Sequence, residues 1–523
     1  MRNKKRWAAV LLAAVMAMAS CGSEEPTSPE SSTEANGASV KNELIVATDA
    51  DPENLDPYQR ISIQANRIKA QIFEKLWRVN SQGEIIPQLA ESWELEDDVI
   101  HVKLRQGVKF HNGEELKASD VVYGWQYATD YSQSVSSVDF IDFDNLKALS
   151  DYELEIPLTY PCGIAVQALA YSNLYVTNEK ALKEAGDKVV TQPVGTGPFE
   201  LENWTMGDSI VLKRFDNYWG TPSQMEHITF RVISESTQAM IELETGGIDL
   251  ALSVGGMDVE RISSGVVEGA KLIEMAPSTS DCIWFNCGSE FFDDVRVRQA
   301  VCYAIDNHAI LNGVYDGIGG VAYSVLAKDT IGYNSDLEGT YERDLEKAKA
   351  LLAEAGYADG FTFELYTDSN SYRQGTAEMI KNMLAEVGIT MNINTLEFSA
   401  YMDVIHEEER LDDAYLLGCS AQNPDGLFQG TSPKFAGPNG TQNANYYQGI
   451  DQSDLYEEVL DQTRLTVDDA ERLELYGKAQ EIINTDVPWF PICYRPLIAA
   501  SVDNLEGFEN CCGDIYLSGI TFR

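Results

Sequence analysis

The chain has 523 residues, and 38 Lys plus Arg against 83 Asp plus Glu leave a formal net charge of −45. A field of that sign repels phosphate backbones, so nucleic acid is excluded as a partner. The length exceeds what one hydrophobic core supports, which excludes a single small domain and predicts two or more lobes.

Residues 1–21 read as an export leader: Arg2, Lys4, Lys5 and Arg6 form a basic head, and Trp7 to Met18 is an apolar run. Ala19 and Ser20 precede Cys21, a pattern similar to a bacterial lipobox, in which Cys21 would be lipidated and become the mature N-terminus. Residues 22–42 are rich in Ser, Glu, Pro, Thr and Gly without period, the composition of a flexible linker. The expected location is therefore extracytoplasmic, with a lipid anchor to the membrane. Beyond Cys21, cysteines stand at 162, 282, 287, 302, 419, 493, 511 and 512, with no zinc spacing. Buried thiols and a few bridges both remain open, and neither a metal nor a cofactor is expected.

ELIVAT (43–48) is an apolar strand running into DADPENLDPY, where Pro52 and Pro57 stop it. Helical spacing follows from Ile61 to Leu76. From about 80 to 193 the texture becomes mixed and mostly antiparallel. Glu91–Leu95 and Val99–Leu104 form a hairpin about Asp97–Asp98, and Ser119 caps a helix through Tyr127. The glycine- and proline-constrained stretch Pro193–Gly220 then returns the chain to an α/β rhythm. One β-α-β unit runs through 228–232, 236–245 and 248–252. After an amphipathic helix over 344–355, a second has alternating strands at 361–365 and 389–393 around a helix from Thr376 to Val387. Two α/β lobes with a cleft between them are the inference, and the apolar run from Trp489 returns to the first.

Chemistry is hard to find. The five histidines make no HExxH, and there is no GxSxG elbow or GxxxxGK[ST] loop. Gly195-Thr196-Gly197 lacks the third glycine, lysine and helix of a phosphate cradle, so it reads as a structural turn. Binding is better placed than catalysis. Ligands of open α/β sheets sit outside the carboxyl ends of strands. The strand Tyr415–Gly418 opens into a loop carrying Ser420, Gln422, Asn423 and Asp425, which could hydrogen-bond a ligand or form a surface turn. Asn54 and Tyr58 follow the first strand, and Tyr446 and Tyr447 combine apolar area with a polar tip.

Across nearly the whole chain the motifs ENLDPY (53–58), IPQLAESWEL (86–95), LRQGVKFHNGEELKASDVVY (104–123), PVGTGPFEL (193–201), NYWG (217–220), GGIDL (246–250), FFDDVRVRQAVCYAID (291–306) and AKALLAEAGY (348–357) stand in order. In this the chain resembles the extracytoplasmic solute-binding proteins of ABC importers, in the peptide/nickel (oligopeptide- and dipeptide-binding) family. The resemblance implies an α/β, two-lobed periplasmic-binding-protein-like clamp. Residues 43–275 plus 490–523 would form lobe I, with the insertion at about 80–193 as an extra mixed α/β subdomain, and 276–489 would form lobe II. It implies no enzymatic activity, a peptide or other small solute as ligand, and an ABC permease with its ATPase subunits as partner; a monomer is expected. An oligosaccharide, an opine or a metal chelate remains an alternative solute, and a surface adhesin or receptor an alternative role. Peptide-binding relatives often carry Gly-Trp with an Asp three residues on, pairing with the peptide ammonium. Here the frame reads Gly418, Cys419 and, in the Asp position, Gln422. Arg373 is either a partner for a ligand carboxylate or a surface arginine.

Overall fold

The computed structural model describes residues 41–523 apart from 53, 60–61, 132–134, 186–190, 276–278, 329, 407–412, 421–446, 448, 496 and 512. The expected leader, Cys21 and the linker up to residue 40 lie outside the described residues. Two sheets with separate memberships carry the architecture. The first, in a seven-stranded order, runs Ala270–Met275, Leu497–Val502, Leu250–Ala251, Glu43–Thr48, His227–Val232, Ser209–Arg214, Phe199–Thr205. The second has six strands in the order Gly320–Val321, Trp489–Tyr494, Thr279–Phe285, Ala414–Ser420, Thr362–Asp368, Thr390–Leu396. Each sheet with its helices is one lobe of an α/β clamp.

Strand Thr279–Phe285 shows why the second sheet is central to its lobe. Ile283 and Phe285 point into one core with Phe363, Leu365 and Ile380. Cys282 and Trp284 point into the other, with Tyr415, Tyr456 and Trp489. A strand covered on both faces carries apolar side chains at successive positions rather than alternate ones, as Cys282–Phe285 do. Trp284 stacks on Tyr415 with 5.8 Å between ring centroids and meets Trp489 at 5.0 Å, contacts that add about 0.5–1.5 kcal/mol each beyond area burial.

The second β-α-β unit forms as expected: Thr362–Asp368 pairs in parallel with Thr390–Leu396 around helix Ser371–Ala385. The first is split. His227–Val232 and Leu250–Ala251 both pair in parallel with Glu43–Thr48, which lies between them. The return to the first lobe falls later than 490. Trp489–Tyr494 is buried at every position and pairs with Thr279–Phe285, so it belongs to the second sheet, and Leu497–Val502 is the first strand back. Between the sheets' own strands, Ala90–Glu96, Val99–Leu104, Glu153–Pro157 and Lys147–Ala148 make a four-stranded antiparallel sheet with its own core. Helix Ala118–Ala128 is capped at Lys117 rather than Ser119, because Asp120 reaches back to the Lys117 N–H at 2.8 Å.

The Gly195–Gly197 turn closes on a helix end. A Cβ on Gly195 would lie 2.0 Å from the Ile72 carbonyl oxygen, and one on Gly197 2.5 Å from that of Gln71. Carbonyl oxygens at the C-terminus of helix Ile63–Ile72 thus face the turn, the wrong polarity for phosphate. The Gly195 N–H donates to His111 Nδ1 at 3.3 Å, so Nε2 carries the proton donated to Gly197 O at 3.0 Å. Tyr218 and Trp219 of the NYWG motif both donate to buried Glu74, at 2.9 and 2.7 Å. Cys282, Cys287, Cys302 and Cys493 are buried free thiols, and Cys162, Cys419 and Cys511 are buried as well.

Candidate functional site

The parallel strands of the second lobe end at Asp368, Leu396 and Ser420. The first of these ends sets up a charged floor. Asp368 accepts from the Asn370 N–H at 3.2 Å, and Asn370 caps the following helix by accepting from the N–H groups of Tyr372 and Arg373 at 3.1 and 3.2 Å. This turns the first helical residues back over the strand end. Arg373 Nε then donates to Asp368 Oδ1 at 2.8 Å, Nη2 to Asp368 Oδ2, and Nη1 to Asp281 Oδ1 at 3.4 Å.

Asp281 is fully buried and shared. Arg495 donates to it from Nε and Nη2 at 3.2 and 2.6 Å, and the Tyr315 hydroxyl at 2.9 Å. Tyr315 is itself fixed by stacking on Tyr372 at 5.1 Å. Two carboxylates face two guanidinium groups, so the floor is electrically balanced. Burial works against the Arg373 charge, but the Asp368 hydrogen bond and the charges of Asp281 and Asp368 outweigh it and raise its pKa. Burial likewise pushes Asp368 up, and the Arg373 bond and charge overcome it, leaving the carboxyl below its usual range.

Gly418 lies over this cluster. A Cβ there would sit 2.4 Å from Thr279 Cγ2 and 3.4 Å from Asp281 Oδ1, with Arg373 Nη1 at 3.8 Å. Only glycine lets the two strands approach this closely. The next residue, Cys419, points the other way, into the lobe core. Arg373 is therefore not a surface arginine; it is 7 % exposed and paired with two aspartates.

Other expected site residues separate. The Ser420 backbone ends the strand opposite Thr279, while Gln422, Asn423, Asp425 and Tyr446 lie outside the described residues. Tyr447 is a core residue: it is 1 % exposed, donates to Asp486 Oδ2 at 2.6 Å and meets Tyr456 and Trp489 edge-on. Tyr58 is wholly buried, its hydroxyl so close to Gly124 that a Cβ there would lie 2.1 Å away. Asn54 serves its own loop, accepting from the Asp56 N–H at 3.0 Å and donating to Gln59 at 2.9 Å. That loop encloses the Lys69 ammonium, which donates to the carbonyls of Asp56 and Gln59 at 3.1 and 2.6 Å.

Sequence reasoning missed Asp281, Asp368, Tyr315 and Arg495. The signal for Asp281 was present, since a carboxylate leading directly into the apolar run Cys282–Phe285 must be paired when buried. At the second crossing, successive residues diverge: Arg495 meets Asp281, whereas Tyr494 lines an open cavity of about 990 Å³. Its walls come from both lobes, Leu272, Glu274 and Met275 on one side and Tyr323 and Tyr333 on the other. No group of three or more metal-ligating side chains occurs among the described residues, and no helix among them is long and apolar enough to cross a membrane.

Residues 84–440 match the family model for the bacterial extracellular solute-binding proteins, family 5 Middle. The chain is 28% identical over 457 residues to the dipeptide-binding protein of Escherichia coli (strain K12), covering 81% of this chain and 84% of that one. The periplasmic binding protein DppA from Helicobacter pylori, in complex with the peptide STSA, superposes with a TM-score of 0.78 at 25% identity, over 92% of this chain and 98% of that one. AgaA of A. tumefacien R10, in complex with agropinic acid, gives 0.75 at 25% identity, over 92% and 99%.

Proposed function

Because the chain belongs to the bacterial extracellular solute-binding proteins of family 5, we propose that it captures peptides in the space between its lobes and hands them to an ABC permease. Membership makes it an extracytoplasmic binding component of ABC import rather than an enzyme. The finer reading concerns what holds the ligand. Peptide is favoured by the dipeptide-binding relative and by the peptide-bound DppA structure.

The observation that carries the recognition mode is the commitment of Arg373 to Asp368 and Asp281. With that guanidinium occupied and the floor neutral, the ligand's carboxylate gains no strong partner from Arg373. With Gln422 in place of an acid, its ammonium gains none from that position either. Recognition then falls to backbone and neutral side-chain contacts, with Ser420, Gln422 and Asn423 supplying them from the end of the strand Ala414–Ser420 onward and Tyr446 from further along the chain, and Asp425 as the one acid near the ligand. A lipid anchor at Cys21 would hold the protein outside the membrane, a reading supported by the leader-like residues before it.

Native mass spectrometry of the purified soluble domain tests the ligand class. A co-purified set of peptides is the expected result. The likeness to AgaA makes an opine the second reading, and an intact opine or sugar in place of peptides would overturn the first.

A further inference from the structure

The inserted subdomain touches the second lobe far along the chain from the crossings. Helix Ser453–Leu465 sends Tyr456, Val459 and Leu460 into the core of the second lobe. Its last turn reaches the subdomain, whose core contains Cys162 and Ile164. Arg464 Nη2 donates to Asp139 Oδ1 at 2.7 Å, and Nη1 donates to Asp139 Oδ2 at 3.3 Å and to the Tyr160 hydroxyl at 2.7 Å. Side-chain exposure is 4 % for Arg464 and 43 % for Asp139, so the guanidinium is enclosed on arrival while its partner stays wet. The rings of Phe140 and Tyr160 flank it at 5.8 and 5.9 Å.

The backbones also join. The Gly163 N–H donates to the Arg464 carbonyl at 2.7 Å. That oxygen is among the last carbonyls of its helix, which have no partner within the helix itself. The approach requires glycine: a Cβ on Gly163 would lie 2.0 Å from the Thr466 carbonyl oxygen.

We propose that this contact is a latch between the lobes, and that Arg464, Asp139, Tyr160 and Gly163 set ligand affinity without touching ligand. The partners belong to different cores, and the lobes of such clamps move by hinge rotation about their crossings. The contact therefore exists only in the closed form and adds its stabilisation to that form with or without solute. It raises the fraction of molecules already competent to hold ligand, and apparent affinity scales with that fraction. Loss of the latch should weaken every ligand by the same factor, on the order of tenfold for a coupling of ordinary size. These are positioning residues, and the inference rests on the reading of the chain as a clamp that closes on its solute.

The test measures lobe separation in solute-free protein, so it needs no ligand identity. Spin labels at Met206 and Leu473, which are 71 % and 44 % exposed on the first and second lobes, report the distance by electron–electron resonance. Wild type is expected to show closed and open populations. Arg464→Ala and Gly163→Ala should each move population to the longer distance while the thermal midpoint of unfolding stays within a few degrees. The charge exchange Asp139→Arg with Arg464→Asp should recover part of the closed population, which a merely structural role would not predict. If wild type shows both populations and both single variants match it, the latch is overturned and the clamp stands. If wild type and the variants all show one unchanging distance, the clamp itself fails and the latch with it.

Discussion

Arg495 reaches from the second chain crossing to grip both oxygens of fully buried Asp281, Nε at 3.2 Å and Nη2 at 2.6 Å. The crossing is thereby tied to the floor on which Arg373 and Asp368 also meet. Asp281→Asn would leave two guanidinium groups facing one carboxylate, and removing one partner of a buried pair costs about 3–5 kcal/mol. Urea unfolding should show that loss. Adding Arg495→Gln should cost much less than a further independent amount, because the two residues share one network.

Gly418 makes a second, steric prediction. Gly418→Ala places a methyl 2.4 Å from Thr279 Cγ2 on the paired strand. Overpacking of this kind costs about 1–3 kcal/mol. Thr279→Ala removes the clashing methyl, so the double variant should recover most of the loss in the same unfolding measurement. No recovery would mean the clash lies with the ion cluster instead.

These contacts explain what the sequence could and could not disclose. Alternation and helix caps located Glu43–Thr48 and the unit from Thr362 to Leu396 because each depends on residues near in the chain. The crossing is not legible because Trp489–Tyr494 and Leu497–Val502 are both apolar strands, and only the intervening Arg-Pro separates them in sequence. Arg373 resisted reading because one partner, Asp281, is 92 residues away on another strand. Tyr58 and Tyr447 carry side chains as suited to a core as to a cleft, and long-range packing alone decided between the two.

The junction motifs predict opposed pH effects. Burial holds the Glu74 carboxyl at about 7 against an ordinary 4.5, although the bonds from Trp219 and Tyr218 lower it. Its proton is kept in the folded state, so its contribution is full below pH 4.5 and is lost as pH rises through 7. Burial, partly offset by the Gly197 carbonyl, drops His111 from 6.5 to about 4. Its contribution is full above pH 6.5 and is lost as pH falls toward 4. Each is worth on the order of 3 kcal/mol across its window, and in wild type the two nearly cancel. Glu74→Gln should unmask stability that rises between pH 4 and 6.5, and His111→Asn stability that falls between pH 4.5 and 7, followed by thermal unfolding across pH.

The balanced floor and Gln422 make the last prediction one of ligand chemistry. A site with an acid at the ammonium position loses a charge-assisted bond when the peptide is acetylated, about 1.5–3 kcal/mol or more than tenfold in Kd. Here a neutral amide stands in that position, so the ammonium has no opposite charge there to lose, and acetylation weakens one hydrogen bond to an amide oxygen rather than breaking an ion pair. The peptide identified by mass spectrometry, resynthesised with free and acetylated N-termini, should therefore bind within about tenfold by calorimetry. Amidation of its C-terminus should be tolerated to a similar degree, because Arg373 is already bound to Asp368 and Asp281. A hundredfold loss on acetylation alone would place an acid against the ammonium, with Asp425 the residue to substitute next. A hundredfold loss on amidation alone would instead mean that the ligand draws Arg373 away from its aspartates, and Arg373→Lys would then separate ligand binding from stability.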